Sequence, residues 1–418
     1  MHVLDESVAT EIYAGADRLA RTGARPLQGV SSSNWLVEHP AVGLVLVRRP
    51  KSTSRARLVR AADEAALLGA LATRLEFVPR VLHVAANLDQ LHEAKPGVTV
   101  TSLGSPPPDS LAPIMTDHLA RLSEFPLSEL PPRLRHRLNS PDVRVFAAGL
   151  LDEVAAAWQR AEAAAPGVTA VYTRLGAGPR RWSGIHAAID RFHWRRPTVV
   201  HTDLHTGNVL AELSYEPRAV RSAALVDWER GRIGDPLFDF VRHTISTEYS
   251  DDQLDRAVQD YQDKTRPEVR AGIAADWSTC SQLNQARRNA YGTEQAAGRL
   301  RNLRKSAASG DPAAEDDLRR FAVQEAERLN AERRTHHEPP ITTWEAVERE
   351  FRRYVFGESR RTAASGLMPI VEVKGHRPPE TRQPTPPATQ GGPVEKGPRP
   401  AAQGRQDRGL DRTKRLDP

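Results

Sequence analysis

One cysteine, Cys280, stands in a chain of 418 residues. No internal disulfide can form, and a reducing compartment is the expected setting. Also missing is any apolar run near the roughly 18 residues that a membrane-spanning helix needs. The stretch Met1 to Tyr13 carries Asp5, Glu6 and Glu11 and lacks the basic-then-apolar order of a secretory leader. The expectation is a cytoplasmic protein with no membrane partner. A strongly basic body is absent as well. The formal charge is +6, but residues 371–418 hold ten Lys/Arg against six Asp/Glu, which leaves the remainder close to neutral. Charge placed this way gives no argument for a nucleic-acid partner. The same 48 residues contain nine prolines and no aromatic residue. Such a segment buries too little apolar surface to offset its ordering entropy, so 366–418 is predicted to be disordered.

What is present is a change of pattern along the chain. Residues 1–25 read as a helix ended near Gly23 and Pro26. Val30 to Glu38 and Val42 to Val47 read as strands joined by Pro40-Ala41-Val42-Gly43. Leu58, Ala62, Ala65, Leu68, Leu71 and Leu75 recur at helical spacing across 55–75. Val81 to Ala86 and Leu91 to Glu93 read as two more short strands. From Leu111 the chain is mainly helical, with a strong Ala/Leu helix over 143–165 and strands only near 198–229. Helices resume at Leu237 and are broken at Gly310-Asp311-Pro312 and Pro339-Pro340. The fold class expected is α+β, two-lobed: a small β-rich lobe over 1–95, a larger mainly helical lobe over 96–365, and the tail. Lobes of unlike architecture leave a cleft in which a ligand can sit.

Between two apolar runs lies His201-Thr202-Asp203-Leu204-His205-Thr206-Gly207-Asn208. Nineteen residues after Asn208 comes Asp227, in Leu225-Val226-Asp227-Trp228-Glu229. Each acid therefore falls where a strand meets a loop, and Asp203 and Asn208 fall at opposite ends of one loop. Phosphoryl transfer has a loose transition state, so the protein's work is positioning and charge neutralisation. Asp203 could orient an acceptor hydroxyl and take its proton late. Asn208 and Asp227 supply the hard oxygen donors that suit Mg²⁺, with phosphate oxygens filling its other positions. The plainer alternative makes Asp203 a turn residue and Asn208 a cap.

The run His-x-Asp-Leu-His-x-Gly-Asn-Val-Leu at 201–210, followed by Val226-Asp227-Trp228-Glu229, resembles the aminoglycoside phosphotransferase/choline kinase family, relatives of protein kinases. The likeness extends into Gly234-Asp235-Pro236-Leu237-Phe238-Asp239 and covers roughly 20–260. It implies a protein-kinase-like fold, ATP and Mg²⁺ as cofactors, Asp203 as the catalytic residue, and a small-molecule hydroxyl acceptor such as an aminoglycoside-like antibiotic, an amino alcohol or another metabolite. His201 and His205 then read as scaffold. Asp235 reads as a helix N-cap before Pro236, or as a brace for the catalytic loop.

The resemblance also assigns nucleotide contacts. Gly29, Ser31, Ser32 and Ser33 stand where the family has its nucleotide loop, with serines replacing a second glycine. Arg48 stands where kinases place a phosphate-holding Lys. Glu64 lies on the apolar stripe of its helix and needs a partner; Arg48 is the natural one, unless Glu64 sits at the margin in solvent. Glu93 falls at the expected lobe connection, where backbone would meet adenine. On the acceptor side, Asp251, Asp252 and Asp255 could bind a polycation, yet Ser250 and Gln253 have capping-box spacing. Arg287-Arg288, Arg299, Arg301 and Arg304-Lys305 read as solvated helix faces. Trp277, Tyr291 and Trp344 line a pocket or pack.

Two other functions are compatible with the residues. A nucleotide-binding pseudokinase or interaction protein would explain Arg48 and the glycine-poor loop. A metallohydrolase would use His201, Asp203 and His205, whose alternation can place three ligands on one face, but no second His cluster completes such a site. The sequence is silent on oligomeric state.

Overall fold

Asp5 caps helix α1 (Glu6–Arg21), accepting from the Ser7 N–H at 2.8 Å, and Arg18 and Arg21 occupy its last turn, where the helix dipole favours cations. Its stripe of Ala9, Ile12 and Ala16 is buried against Val37, Val45, Val47 and Leu91 of the adjoining sheet. That sheet comprises β1 (Ser32–His39), β2 (Gly43–Pro50), β3 (Val81–Val84) and β4 (Gln90–Glu93) in the order β1-β2-β4-β3, all antiparallel. Successive side chains alternate across a strand, so Val45 and Val47 face α1 while Arg48 faces the other way. There it meets α2 (Arg55–Leu71), which carries Glu64 on the same stripe as Leu68 and Leu71. The computed structural model describes residues 4–357 apart from 28–31, 52–54, 139, 141, 180–181, 183, 215–218 and 336–341. The 366–418 tail and the Pro339-Pro340 break thus lie outside the described residues.

After β4 the chain crosses into the larger helical part. Gly97 makes this crossing with φ 119°, and a Cβ there would stand 2.5 Å from the carbonyl oxygen of Ala211. Only glycine fits that conformation and that approach together. Strand β5 (Val98–Thr99) follows, then helices α3 (Leu111–Ser123), α4 (Pro132–Leu138), α5 (Val143–Ala164), α6 (Val168–Arg174) and α7 (Ile185–Ile189). Strands β6 (Thr198–Val200), β7 (Val209–Leu213), β8 (Val220–Leu225) and β9 (Arg232–Gly234) form two small sheets, β5-β7-β8 and β6-β9. Helices then run without strands: α8 (Pro236–Thr247), α9 (Asp251–Lys264), α10 (Pro267–Arg270), α11 (Ile273–Ala308), α12 (Ala314–Thr335) and α13 (Trp344–Phe356). The whole is α+β, with a small antiparallel sheet at the N-terminal end and a larger helical part, as the pattern of the sequence predicts.

Three apolar clusters hold it. One joins α1 to the first sheet. The largest takes Leu67, Leu68 and Leu71 of α2 into the helical part, where they share a core with Phe146 of α5, Leu237 and Phe238 of α8 and Leu283 of α11. The third is formed by α6, the end of α11, α12 and α13, around Tyr172, Leu300, Phe321 and Phe351. Gly310 and Pro312 separate α11 from α12 as expected. Among the described residues no helix is long and apolar enough to cross a membrane.

Candidate functional site

Strand β6, paired with β9, delivers the chain to His201, which is wholly buried. Its Nε2 bonds the carbonyl of Val226 at 2.9 Å and its Nδ1 accepts the Asp203 N–H at 3.3 Å. Both ring nitrogens are spent within the fold, so His201 is scaffold and not a metal ligand. The Nδ1 of His205 is likewise taken, by the Gly207 N–H at 3.0 Å. Among the described residues no group of three or more His, Cys, Asp or Glu is arranged to hold a metal. The metallohydrolase reading fails on these hydrogen bonds.

Thr202, between the two, has φ 61°, an uncommon state for a β-branched residue. Three contacts hold it there. Its N–H donates to Asp239 Oδ1 at 2.8 Å, its hydroxyl donates to the Arg230 carbonyl at 2.9 Å, and its carbonyl accepts from Arg287 Nη1 at 2.7 Å. The other oxygen of Asp239 accepts the His201 N–H. Asp239, buried on the first turn of α8, therefore binds two successive backbone amides of the loop. Asp235 bonds elsewhere: it caps α8, accepting from Leu237 N–H at 3.0 Å, and takes the fork of Arg195 at 2.8 and 2.7 Å. Arg195 reaches Asp276 of α11 as well, at 2.6 Å.

The carboxylate of Asp203 emerges from this braced loop, one third exposed. Arg242 Nη2 stands 3.4 Å from Oδ1 and Arg230 Nε 3.9 Å from Oδ2. Burial pushes its pKa up, but Arg242, His205, Arg230 and Arg287 outweigh burial and hold it at about 2. The group is ionised at any physiological pH.

On the other side of the loop, the Val226 N–H donates to the Asn208 carbonyl at 3.0 Å, which ties the end of β8 to the loop's far end. Asn208 is buried and its Nδ2 donates to the Asp203 carbonyl at 2.9 Å, turning the amide oxygen the opposite way. Asp227 has φ 65°, a conformation that Asp tolerates better than most residues. Its Oδ1 accepts from Arg48 Nη2 at 2.7 Å, and its side chain is 40% exposed. An amide oxygen and a partly free carboxylate are the hard, few-charged donors that suit Mg²⁺ beside phosphate, so the residues fit the ion. Asp203 and Asp227 both act on the imidazole of His205, though burial dominates and lowers its pKa.

Arg48 also meets Glu64 at 3.3 Å and Glu229 at 3.4 Å. The pairing of Arg48 with Glu64 is the one the helical stripe predicts. Glu64 is fully enclosed; burial raises its pKa, against the pull of Arg48.

Among the described residues, Ser32, Ser33 and Glu93 bond elsewhere. Gly29 and Ser31 lie outside the described residues. Ser32 and Ser33 are already within β1, opposite Pro50 and Arg49, and the Ser32 hydroxyl donates to Asn34 Oδ1 at 3.1 Å. Glu93 spends its N–H on the Arg80 carbonyl at 2.8 Å and its carboxylate on Arg80 and Lys95 at 3.1 and 3.0 Å. It borders a cavity of about 450 Å³ with Val42, Leu44, Thr73 and Val81, apart from Arg48, Asp203 and Asp227. Asp251 and Asp252 start α9, whose capping box of Ser250 and Gln253 is fully formed. Arg287, read as solvated, is buried: α11 turns it to the loop, with Glu153 at 3.6 Å. Tyr291, one turn on, donates to Glu153 at 3.1 Å and lies 4.4 Å beneath the guanidinium of Arg230. Asp239 stood within a quoted motif without a role; Glu153, Arg195, Arg230 and Arg242 gave no local signal.

The model of a phosphotransferase enzyme family matches residues 22–272, close to the 20–260 span of the resemblance. Among solved structures, the chain is 19% identical to the macrolide 2'-phosphotransferase MphH of Brachybacterium faecium, with TM-score 0.48 over 73% of this chain and 96% of that one. It is 16% identical to a choline/ethanolamine kinase family protein of Mesorhizobium loti, with TM-score 0.41 over 81% and 98%. It is 15% identical to APH(2'')-IIa in its gentamicin complex, with TM-score 0.43 over 83% and 99%. No curated protein matches the chain.

Proposed function

The chain belongs to the phosphotransferase enzyme family, and from that premise we propose that it transfers the γ-phosphoryl group of ATP to a hydroxyl of a small molecule. The observation that carries this reading is the junction at Val226: one backbone bond of 3.0 Å joins the segment of Asp227 to the loop bearing Asp203 and Asn208. Three oxygen-bearing side chains from two chain segments then serve one place.

Asp203 accepts the hydrogen bond of the acceptor hydroxyl and aims its oxygen at the phosphorus. As the new O–P bond forms and the bond to ADP breaks, the acceptor proton passes to an Asp203 carboxylate oxygen. A carboxylate held near 2 is a weak base, which suits a loose transition state that needs little early proton removal. Asn208 and Asp227 would hold Mg²⁺, whose charge neutralises the phosphate oxygens. Arg48 grips nucleotide phosphate, for which its planar fork is apt, and Glu64 fixes its direction.

The test is ADP release by the full chain with ATP and Mg²⁺ against a panel of alcohols. Asp203→Asn should lower kcat by about 10²–10⁴-fold while nucleotide KM is kept, and Asp227→Ala should abolish turnover at ordinary Mg²⁺. Nucleotide binding without turnover of any alcohol would instead mark an interaction protein.

A further inference from the structure

Charge is segregated around the catalytic loop. The carboxylates of Glu64, Asp227 and Glu229 converge on Arg48, the side where the cation belongs. On the Asp203 side the sign reverses: Arg230, Arg232, Arg242 and Arg287 surround Asp203 and Glu153. Glu229 acts on Arg230 as well, and Asp239 on Arg287.

The pairing geometry shows which of these are committed. Arg232 is, at 2.7 Å from Glu153, and Glu153 also takes the Tyr291 hydroxyl. Arg242 and Arg230 reach Asp203 only at 3.4 and 3.9 Å, beyond the 2.7–2.9 Å of a seated charge-assisted bond, and Arg230 also bonds the Tyr291 hydroxyl. The chain does seat such bonds elsewhere: Arg195 lies on Asp235 at 2.8 and 2.7 Å. Arg287 has a buried Nε with no partner. Arg230 is stacked on Tyr291, which fixes its plane while over a quarter of its side chain remains open to solvent. Partly buried guanidiniums standing this far from Asp203 keep donors that an anion can complete.

We infer that the acceptor alcohol itself carries an anionic group, a carboxylate or a phosphate, which Arg230 and Arg242 bind beside Asp203. This rests on the kinase reading and narrows it. Polycationic antibiotics and amino alcohols become poor acceptors. The anion lies within reach of Asp203, so the acceptor is short, with its hydroxyl a few bonds from the charge. Arg287 and Tyr291 act as positioning residues: they hold the Thr202 carbonyl and the plane of Arg230.

The test uses alcohols of one three-carbon skeleton and different charge: glycerol, glycerate, glycerol 3-phosphate and 3-amino-1,2-propanediol. Their binding to the full chain is measured by calorimetry with MgADP saturating, so that the nucleotide's own phosphate contacts are filled. ADP release is followed in parallel with MgATP. Glycerate or glycerol 3-phosphate should bind about tenfold or more tighter than glycerol and the amine, as one to two charge-assisted bonds would give, and Arg242→Gln and Arg230→Gln should each shrink that preference. Equal affinities, a preference for the amine, no anion binding at all, or a preference untouched by both substitutions overturns the inference, whether or not ADP is released. Turnover that falls equally for every acceptor in these variants would mean that the arginines serve only the transferring phosphoryl group, and also overturns it. The kinase reading fails separately, by the absence of ADP release with all acceptors.

Discussion

At the scale of single residues, the loop is controlled from beneath by Asp239. Its two oxygens are the partners of the His201 and Thr202 amides, and the second of these holds a left-handed threonine. Asp239→Ala leaves two buried N–H groups unsatisfied, each costing about 1–3 kcal/mol. The expected result is a loss of about 2–5 kcal/mol in urea unfolding, with a fall in kcat larger than any change in nucleotide affinity. Unchanged stability would show that water replaces the carboxylate. That Asp203, Asn208 and Asp227 fall on adjoining segments was legible in the sequence because they sit in short, ordered motifs flanked by strands. Arg287 was not, because a buried arginine in the middle of a long helix has the same local pattern as a solvated one. Only the fold reveals that its face meets Thr202.

At the scale of elements, Arg195 is the connector. It lies between α7 and β6, is fully buried, and joins the N-cap of α8 to the first turn of α11 through Asp235 and Asp276. Arg195→Met strands two buried carboxylates and should cost about 3–5 kcal/mol, read as a drop in urea midpoint. The exposed pair of Arg74 with Glu129 is the control, and Arg74→Met should cost no more than about 1 kcal/mol. Equal effects from the two would remove Arg195 from this role. Helix limits were well read where caps are local: Asp235 before α8 and Ser250 before α9 both bond as their sequence suggests. The strand expected over 30–38 is β1, which pairs with β2 from Ser32 onward.

At the scale of the whole molecule, two enclosed histidines set an acid limit. Burial, and in the first case Arg48 as well, lowers the pKa of His92 and of His243 to about 3. In the unfolded chain each would titrate near 6.5. Below that value the unfolded state binds protons that the folded state refuses, so stability is fully present above 6.5 and is lost as pH falls. The two together should cost about 3 kcal/mol between about pH 7.5 and about pH 5.5, measured by urea unfolding. Glu64, with its raised pKa, works in the opposite sense and makes the observed slope shallower. His243→Gln should flatten it further, and an unaltered slope would locate the effect in other groups. The two-part architecture was legible from the switch between periods of two and 3.6. The third core was not, since its partners α6 and α11 to α13 are far apart in sequence and each alone is an ordinary amphipathic helix.

Helix α11 spans about 54 Å at the usual rise. It carries Asp276 in its first turn against Arg195, passes Arg287 and Tyr291 beside the loop, and ends in the third core. The matched family region stops at residue 272, just before it. Arg287 and Tyr291, which meet the Thr202 carbonyl and Arg230, therefore lie outside the matched stretch. Substitutions at these two positions alter the loop's support from outside while every residue of the matched stretch is kept.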